Sequence, residues 1–448
     1  MFRLVSLTIS LLIVIGAILA AIPSAAVQAQ MSLPECPDDL SGQSVFPSPR
    51  FEQDATLFWV SRSSLWRSQN NGETWLQVYQ YTSDPLPIYI RQFQMVAHPG
   101  DRGLTLYMGI DDQYAERYYF LRSDDTGATW QEVTSACSSN APDCPNYSLR
   151  AAGTAPVLFQ PRLWFVGWST LPFGVARSLD LGLTWDLVWS ETPAWEVVSS
   201  PDFDHDHTVF TALIDRSATL DTSLVISTDG GLNWQPRGEG LCRQDFYWSD
   251  LEISPGFAGD STLLAGLYKN SLFISKDAGR TWHSIFPNGP FPICDYTSGL
   301  LSVLPRFAPG YPADPTIYVA TIQGIYVSYD DGQAWTRLVA VDNILDFQIS
   351  WRSMESLNEP DAPHLLSLNS VKEQTKPGAA TWQVFVPQVT AQGAVPPARP
   401  YTLFIRAWPV GRHESHVYRS DNGGVTWQCM ERPQVRRRAY LPLLRAGP

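Results

Sequence analysis

The chain has 448 residues, 44% hydrophobic, 12% aromatic and 17% charged, with a formal net charge of −13. The apolar and aromatic content excludes a disordered chain, and 30 Gly with 35 Pro leave no room for a coiled coil or long-helix protein. With 44 acidic against 31 basic residues, binding to a phosphate backbone is not expected, and no nucleic-acid partner is assigned.

Residues 1–29 read as a secretory signal peptide. Arg3 supplies the one charge, an apolar run extends from Leu4 to about Ile22, and Ser24-Ala25-Ala26-Val27-Gln28-Ala29 offers small residues for cleavage before Gln30. The run is also long enough to stay as an N-terminal anchor, the alternative reading. No comparable run follows, so a secreted or envelope-exterior protein without a membrane span in its mature chain is expected. Residues 30–41 form a leader, 42–430 the folded body and 431–448 a basic tail. Six cysteines in an exported chain read as disulfides. Cys137 and Cys144 flank a short turn-rich segment and could close a local loop.

The body is built from a repeat. An eight-residue box, Ser-x-Asp-x-Gly-x-Thr-Trp, occurs from Ser123 to Trp130, Ser178 to Trp185, Ser227 to Trp234, Ser275 to Trp282 and Ser328 to Trp335. Two copies carry Asn in the Asp position, from Ser68 to Trp75 and from Ser420 to Trp427. The key residues are therefore Asn70, Asp125, Asp180, Asp229, Asp277, Asp330 and Asn422. The Trp spacings are 55, 55, 49, 48, 53 and then 92. A decayed copy from Thr375 to Trp382 divides the last interval into 47 and 45.

A second pattern, Ser-Pro-x-Phe followed by Asp, precedes several boxes: Ser48 to Phe51 with Asp54, Ser200 to Phe203 with Asp206, and Ser254 to Phe257 with Asp260. Asp54, Asp314 and Asp361 each stand 21 residues before a box Trp. The count predicts eight repeats of about 50 residues.

Local chemistry explains the box. Gly supplies a positive φ in a short turn, the carboxylate accepts turn amides, and Asn can partly replace it. Ser ends one strand and Trp starts the next, burying its ring between sheets. Runs such as Leu224-Val225-Ile226 and Ile325-Tyr326-Val327 lead into the boxes as strands. Strand–turn–strand units at this period, without helical periodicity, predict an all-β fold. The expected form is a single β-propeller of four-stranded blades, eight in number, with seven plus an excursion over residues 340–400 as the alternative.

The boxes resemble the Asp-box, or BNR repeat, of sialidases, xyloglucanase-type glycosidases, sortilin-type receptors and Ycf48-type photosystem II assembly factors. The resemblance covers roughly residues 42–430. It implies that each box lies between the third and fourth strands of a blade, away from the ligand face. On that map, Asp245, Phe246, Tyr247, Trp248, Asp295 and Tyr296 fall in segments facing the ligand. Cys242 and Cys294 occupy equivalent places in neighbouring blades and could pair. A Cys36–Cys429 bridge would fasten the ends of the ring. The box Asp residues are expected to be structural, with loss of one costing ~0.5–2 kcal/mol by analogy with helix caps.

Catalytic readings find little to hold them. Phe404-Ile405-Arg406 is near the sialidase Arg-Ile-Pro motif but lies in the last repeat without the proline, and Arg150, Arg162 and Arg177 cannot be assigned to an arginine triad. Asp245 and Asp295 beside aromatic residues would suit a sugar, yet surface packing explains them as well. The run from Asp202 to His207 looks metal-like, but Asp206 belongs to the repeat. His413-Glu414-Ser415-His416 is one residue short of the zinc-protease motif and leads into a strand. No catalytic residue, cofactor or metal ligand is assigned. The tail, with Arg436-Arg437-Arg438, reads as a solvated or docked segment, or as a contact for an anionic polymer. The expected role is a monomeric binding or scaffold module for a protein or glycan. The alternatives are a secreted glycoside hydrolase, sialidase-like or xyloglucanase-like, and an assembly factor of the Ycf48 type.

Overall fold

The computed structural model describes residues 33–34, 44–61, 63–80, 88–97, 103–112, 117–132, 147–148, 163–167, 174–178, 186–192, 194–213, 223–241, 248–267, 271–285, 303–341, 343–350, 401–408, 415–430 and 433. Their strands form seven four-stranded antiparallel sheets, each made of four consecutive strands. The sheets span 44–80, 88–132, 147–189, 194–237, 248–284, 303–340 and 343–429, and are called blades 1 to 7 in that order. The protein is a single β-propeller, with blade 7 packed against blade 1 to close the ring.

The expectation of eight blades is overturned. The first strand of blade 7, Asn343–Ile349, pairs directly with the second, Leu403–Trp408, through Ile349↔Leu403. Ser350 N–H then donates to the Thr402 carbonyl at 2.9 Å. The same bond, Ser48 N–H to Thr56 O at 2.9 Å, closes the corresponding link in blade 1. Residues 351–400, with the decayed box and Asp361, thus lie in sequence between two paired strands of one blade, outside the described residues. The long Trp interval arises from an insertion inside a blade, which spacing arithmetic cannot tell from an extra blade.

Strand character follows position in the blade. The second strands Leu57–Val60, Val209–Leu213, Leu263–Leu267 and Ile317–Thr321 are buried along their whole length. Each faces a neighbouring blade on both sides, so it reads as a continuous apolar run, not an alternating one. The outer strand Leu76–Gln80 is exposed at both ends. The main core cluster runs from Val198 in blade 4 through blades 5 and 6 to Tyr418 in blade 7.

Each described box joins the third and fourth strands of its blade. Ser Oγ donates to the Asp or Asn Oδ1 in blades 1, 2, 4, 5, 6 and 7, at 2.7 to 3.0 Å. That oxygen also accepts the seventh residue's N–H at 2.8 to 2.9 Å. Asn70 and Asn422 make both bonds, and each adds an Nδ2 bond to a Thr hydroxyl at 2.9 Å. The turn needs left-handed backbone twice in succession. The fourth residues Asn71, Thr126, Gly230, Ala278, Asp331 and Gly423 have φ from 58° to 73°, and the following glycines from 77° to 92°. Glycine at the fifth position also makes room. A Cβ on Gly332 would stand 2.8 Å from Ile285 Cδ1, and one on Gly424 2.6 Å from Leu338 Cδ1, each in the preceding blade.

The Ser-Pro-x-Phe segments form single helical turns, α1 (Phe51–Asp54), α2 (Phe203–Asp206) and α3 (Phe257–Asp260), between first and second strands. Ser48, Ser200 and Ser254 donate to Asp54, Asp206 and Asp260 at 2.7, 2.5 and 2.5 Å. The same carboxylates accept the Thr56, Thr208 and Thr262 N–H groups. Each turn ends in a left-handed residue, Ala55, His207 or Ser261, whose carbonyl accepts the N–H of the box's fourth residue at 2.9 to 3.0 Å. The two sequence motifs are thus two halves of one hydrogen-bonded unit at one edge of the blade.

That fourth residue also holds the next seam. Its carbonyl accepts from a side chain of the preceding blade: Arg67 Nη1 to Thr126 at 2.7 Å, Arg177 Nη1 to Gly230, Tyr318 Oη to Gly423 at 3.4 Å, and Arg419 Nη1 to Asn71 at 2.8 Å. Between blades 5 and 6, Lys276 instead pairs with the carboxylate of Asp331, the fourth residue itself. Between blades 4 and 5 the backbone does the work, with Gly238 N–H to Gly279 O and Trp282 N–H to Glu239 O, both at 2.9 Å. Box Trp rings reach backwards: Trp130 Nε1 donates to Val78 O at 3.1 Å and Trp234 Nε1 to Val188 O at 3.0 Å. Each such bond contributes about 0.5–1.5 kcal/mol net.

Three box carboxylates, Asp125, Asp229 and Asp277, favour the folded state more as anions than as acids. Asp125 and Asp229 are held down to about 2, chiefly by the side chains of Thr129 and Asn233 and then by turn amides. Asp277 is also lowered, its hydrogen bonds outweighing the burial that pushes it up. A depressed folded value gives stability that is complete above the unfolded value of 3.8 and is lost as pH falls toward 2. Thermal melts should stay level from about pH 7 to 5 and fall between about 4 and 2. The double variant Asp125→Asn, Asp229→Asn should flatten that fall, because Asn keeps the Oδ1 bonds without a proton to gain. An unchanged acid slope would place its source elsewhere.

Candidate functional site

The residues expected to face a ligand divide sharply. Trp248 opens the first strand of blade 5, is fully buried, and belongs to the main core cluster. It is core and not ligand face. Asp245, Phe246, Tyr247, Asp295 and Tyr296 lie outside the described residues, as do Asp180 and Cys36, Cys137, Cys144, Cys242 and Cys294. Cys429 ends the last strand, its Sγ 3.9 Å from the Pro34 carbonyl oxygen.

The metal-like run resolves into parts. Asp206 is spent on Ser200 and Thr208, and His207 is the left-handed residue that ends α2. His205 Nδ1 lies 2.6 Å from Asp202 Oδ1 on the surface, and that hydrogen bond raises its basicity. His416 is buried in the third strand of blade 7. Among the described residues no group of three or more His, Cys, Asp or Glu could hold a metal ion. Nor is any described helix long and apolar enough to cross a membrane.

The charged residues that the fold brings together lie on the first strands, nearest the ring axis. The pairing register shifts at Ala194/Glu196, Trp248/Asp250 and Ile344/Asp346, marking a bulge in blades 4, 5 and 7. Each bulge is followed at once by a carboxylate: Glu196, Asp250 or Asp346. A bulge re-aims the side chains beside it and breaks the ladder locally. Glu196 Oε2 accepts the Leu251 N–H of blade 5 at 2.9 Å, and Ser249 Oγ accepts the Val303 N–H of blade 6 at 2.8 Å.

Blade 6 answers with Arg306, 4% exposed. Its Nη1 pairs with Asp250, and Glu252 Oε2 stands 3.8 Å away. Burial works against the guanidinium's charge, but Asp250 and Glu252, with Asp346 beyond them, more than offset it and raise its pKa. Here charge holds blades together, and removing one partner would strand the others in a dry seam.

On blade 7 the layer opens toward solvent. Leu345 is 37% exposed, and Asp346 and Gln348 are half-buried. Gln348 Nε2 donates to Asp346 Oδ1 at 2.9 Å. Arg406 is the cross-strand partner of Asp346; burial lowers its pKa and Asp346 draws it back up. An apolar side chain beside an amide, a carboxylate and a guanidinium can meet peptide groups or sugar hydroxyls. The sequence did carry a signal for this layer. Glu196, Asp250 and Asp346 each stand four residues before the serine that closes the first-to-second-strand link, Ser200, Ser254 or Ser350.

No protein-family profile matches the chain, and no curated protein matches it. Solved structures do. The GH74 enzyme of Niastella koreensis is 16% identical with a TM-score of 0.46, over 67% of this chain and 45% of its own. Ycf48 from Cyanidioschyzon merolae is 13% identical with a TM-score of 0.45, over 71% of this chain and 93% of its own. A Ycf48 bound to a D1 peptide is 13% identical with a TM-score of 0.44, over 71% and 90%. The chain thus spans less than half the length of the GH74 enzyme it matches. At these identities the likeness is one of fold alone.

Proposed function

We propose that the chain is an exported binding or scaffold propeller that holds a protein or glycan on the rim opposite its boxes, and that its repeats are Asp-boxes. One observation carries this. At the box edge the polar groups of the described repeats are spent on the scaffold: Asp on turn amides, Ser on Asp, the fourth peptide on the seams. In a blade of four antiparallel strands, the first-to-second and third-to-fourth links share one edge. The second-to-third hairpins and the starts of the first strands share the other. In the sequence, Asp245, Phe246, Tyr247, Asp295 and Tyr296 precede two such starts, at Trp248 and Val303. Export is supported by the apolar run before Ser24 and the small residues up to Ala29.

The test is a binding screen on glycan and peptide arrays, with two classes of variant. Phe246→Ala with Tyr247→Ala should weaken the best hit by about tenfold or more at unchanged melting temperature, as loss of aromatic anchors does. Asp277→Ala should lower the melting temperature and leave affinity alone. The reverse pattern would refute the assignment of faces. Release of reducing sugar from xyloglucan, or of sialic acid from sialyllactose, would make the protein a hydrolase instead.

The same reading includes a Cys36–Cys429 bridge between leader and last blade. It is supported by the approach of Pro34, two residues before Cys36, to the Cys429 sulfur, and by Leu33 packed on the core. Non-reducing peptide mapping of the exported protein should recover the 36–429 pair, with 137–144 and 242–294. A free Cys36 thiol would remove the bridge.

A further inference from the structure

We infer that Arg406 and Asp346 of blade 7 form a sugar-binding pair that holds adjacent hydroxyls of a neutral glycan at the rim opposite the boxes. This names the ligand class and the contact residues for the binding role proposed above, and it rests on that role.

Four blades share a bulge in the first strand, at Ile90/Gln92, Ala194/Glu196, Trp248/Asp250 and Ile344/Asp346. Across the ladder, the residue after the bulge meets Gly109, Ala212, Gly266 or Arg406. The first three are small and buried. At Gly266 the need is steric, because a Cβ there would collide with the Val303 carbonyl of blade 6. Small residues let the next blade close over the bulge. In blades 4 and 5 the bulge carboxylate is then spent on that blade, Glu196 on the Leu251 N–H and Asp250 on Arg306. Blade 7 departs from this plan, with a long cationic side chain where the others have almost none.

The fold leaves that side chain unused. Arg406 is half-buried, yet its Nε is shut off from solvent without a hydrogen-bond partner. Asp346, directly opposite, acts on it by charge and makes no hydrogen bond to it. The carboxylate is oriented by Gln348 Nε2, which donates to Asp346 Oδ1 at 2.9 Å, and no described residue donates to Oδ2. A secluded donor without an acceptor is unfavourable, and a ligand oxygen relieves it. Trp408 lies on the same face of the second strand as Arg406 and is also half-buried, while Ile405 and Ala407 between and before them are buried. Leu345, the residue that the bulge leaves unpaired, is 37% exposed.

These groups define the ligand. Two adjacent hydroxyls can accept from a guanidinium and donate to a carboxylate at the same time. The indole of Trp408 offers an apolar body to the C–H face of a sugar ring. An anionic sugar is disfavoured, because the inner layer sets Glu196, Asp250, Glu252 and Asp346 against Arg306 and Arg406. An extended peptide adding to the first strand would need an unbroken ladder, which the bulge interrupts.

Calorimetric titration and melting curves of the full chain test the pair. The neutral probes are cellohexaose, mannohexaose and laminarihexaose; the others are hexagalacturonate, sialyllactose and the best peptide of the array. At least one neutral probe should bind. Arg406→Met and Asp346→Asn should each weaken it about tenfold or more at unchanged melting temperature. Arg306→Met, which strands buried carboxylates, should lower the melting temperature. If Arg406→Met melts as low as Arg306→Met, or does not fold, Arg406 is scaffold and the inference falls. Neutral binding unchanged in either Arg406→Met or Asp346→Asn overturns the pair and leaves the binding role standing. So does binding confined to hexagalacturonate, sialyllactose or the peptide. Absence of binding to every probe overturns both.

Discussion

The backbone of one residue per blade carries much of this structure. The fourth residue of the box donates its N–H within the blade, to the left-handed residue of the first-to-second-strand link in blades 1, 4 and 5, and to Leu104, Pro315 and Tyr401 in blades 2, 6 and 7. Its carbonyl faces the preceding blade and in four seams accepts a bond from it. Positive φ turns that carbonyl outward, and the glycine that follows lets the neighbouring outer strand come close. Asn, Thr, Ala and Asp tolerate the left-handed conformation at this place because both polar groups of the backbone are committed there.

Charge has two different uses in the protein. At the box edge the carboxylates are exposed or half-buried and work as local acceptors, so they matter one turn at a time. Near the axis they are buried opposite Arg306 and work between blades. The second use carries a desolvation cost that hydrophobic packing would avoid, and in return it restricts how blades 5, 6 and 7 can register. Toward blade 7 the same layer reaches partial exposure at Leu345, Asp346 and Gln348.

Much of the fold was legible in the sequence because the box is local. Ser, Asp and Gly at fixed offsets name the bonds they will make within eight residues. Blade number was less legible. Trp282 to Trp335 and Trp335 to Trp427 look like one interval and two, yet the second holds an insertion between paired strands. Spacing records chain length and not hydrogen-bond partners. The inner layer was missed for a related reason: Glu196, Asp250 and Asp346 sit in runs that read as plain strands, and only the bulges give them a common meaning. Trp248 was misplaced because an aromatic residue next to an acidic segment looks like a sugar platform until its burial is seen. The arginines before the box serines carry no local signature, since their acceptors are a whole blade away.

The link in blade 7 has a consequence for what the ring can tolerate. Ser350 N–H and Thr402 O close it as Ser48 and Thr56 close theirs, although 51 residues separate the two ends instead of seven. The entropic cost of such a loop grows only with the logarithm of its length, about 0.6 kcal/mol for each doubling. The edge of this blade is therefore a port. A foreign module grafted between Ser350 and Tyr401 would ride on the ring as cargo.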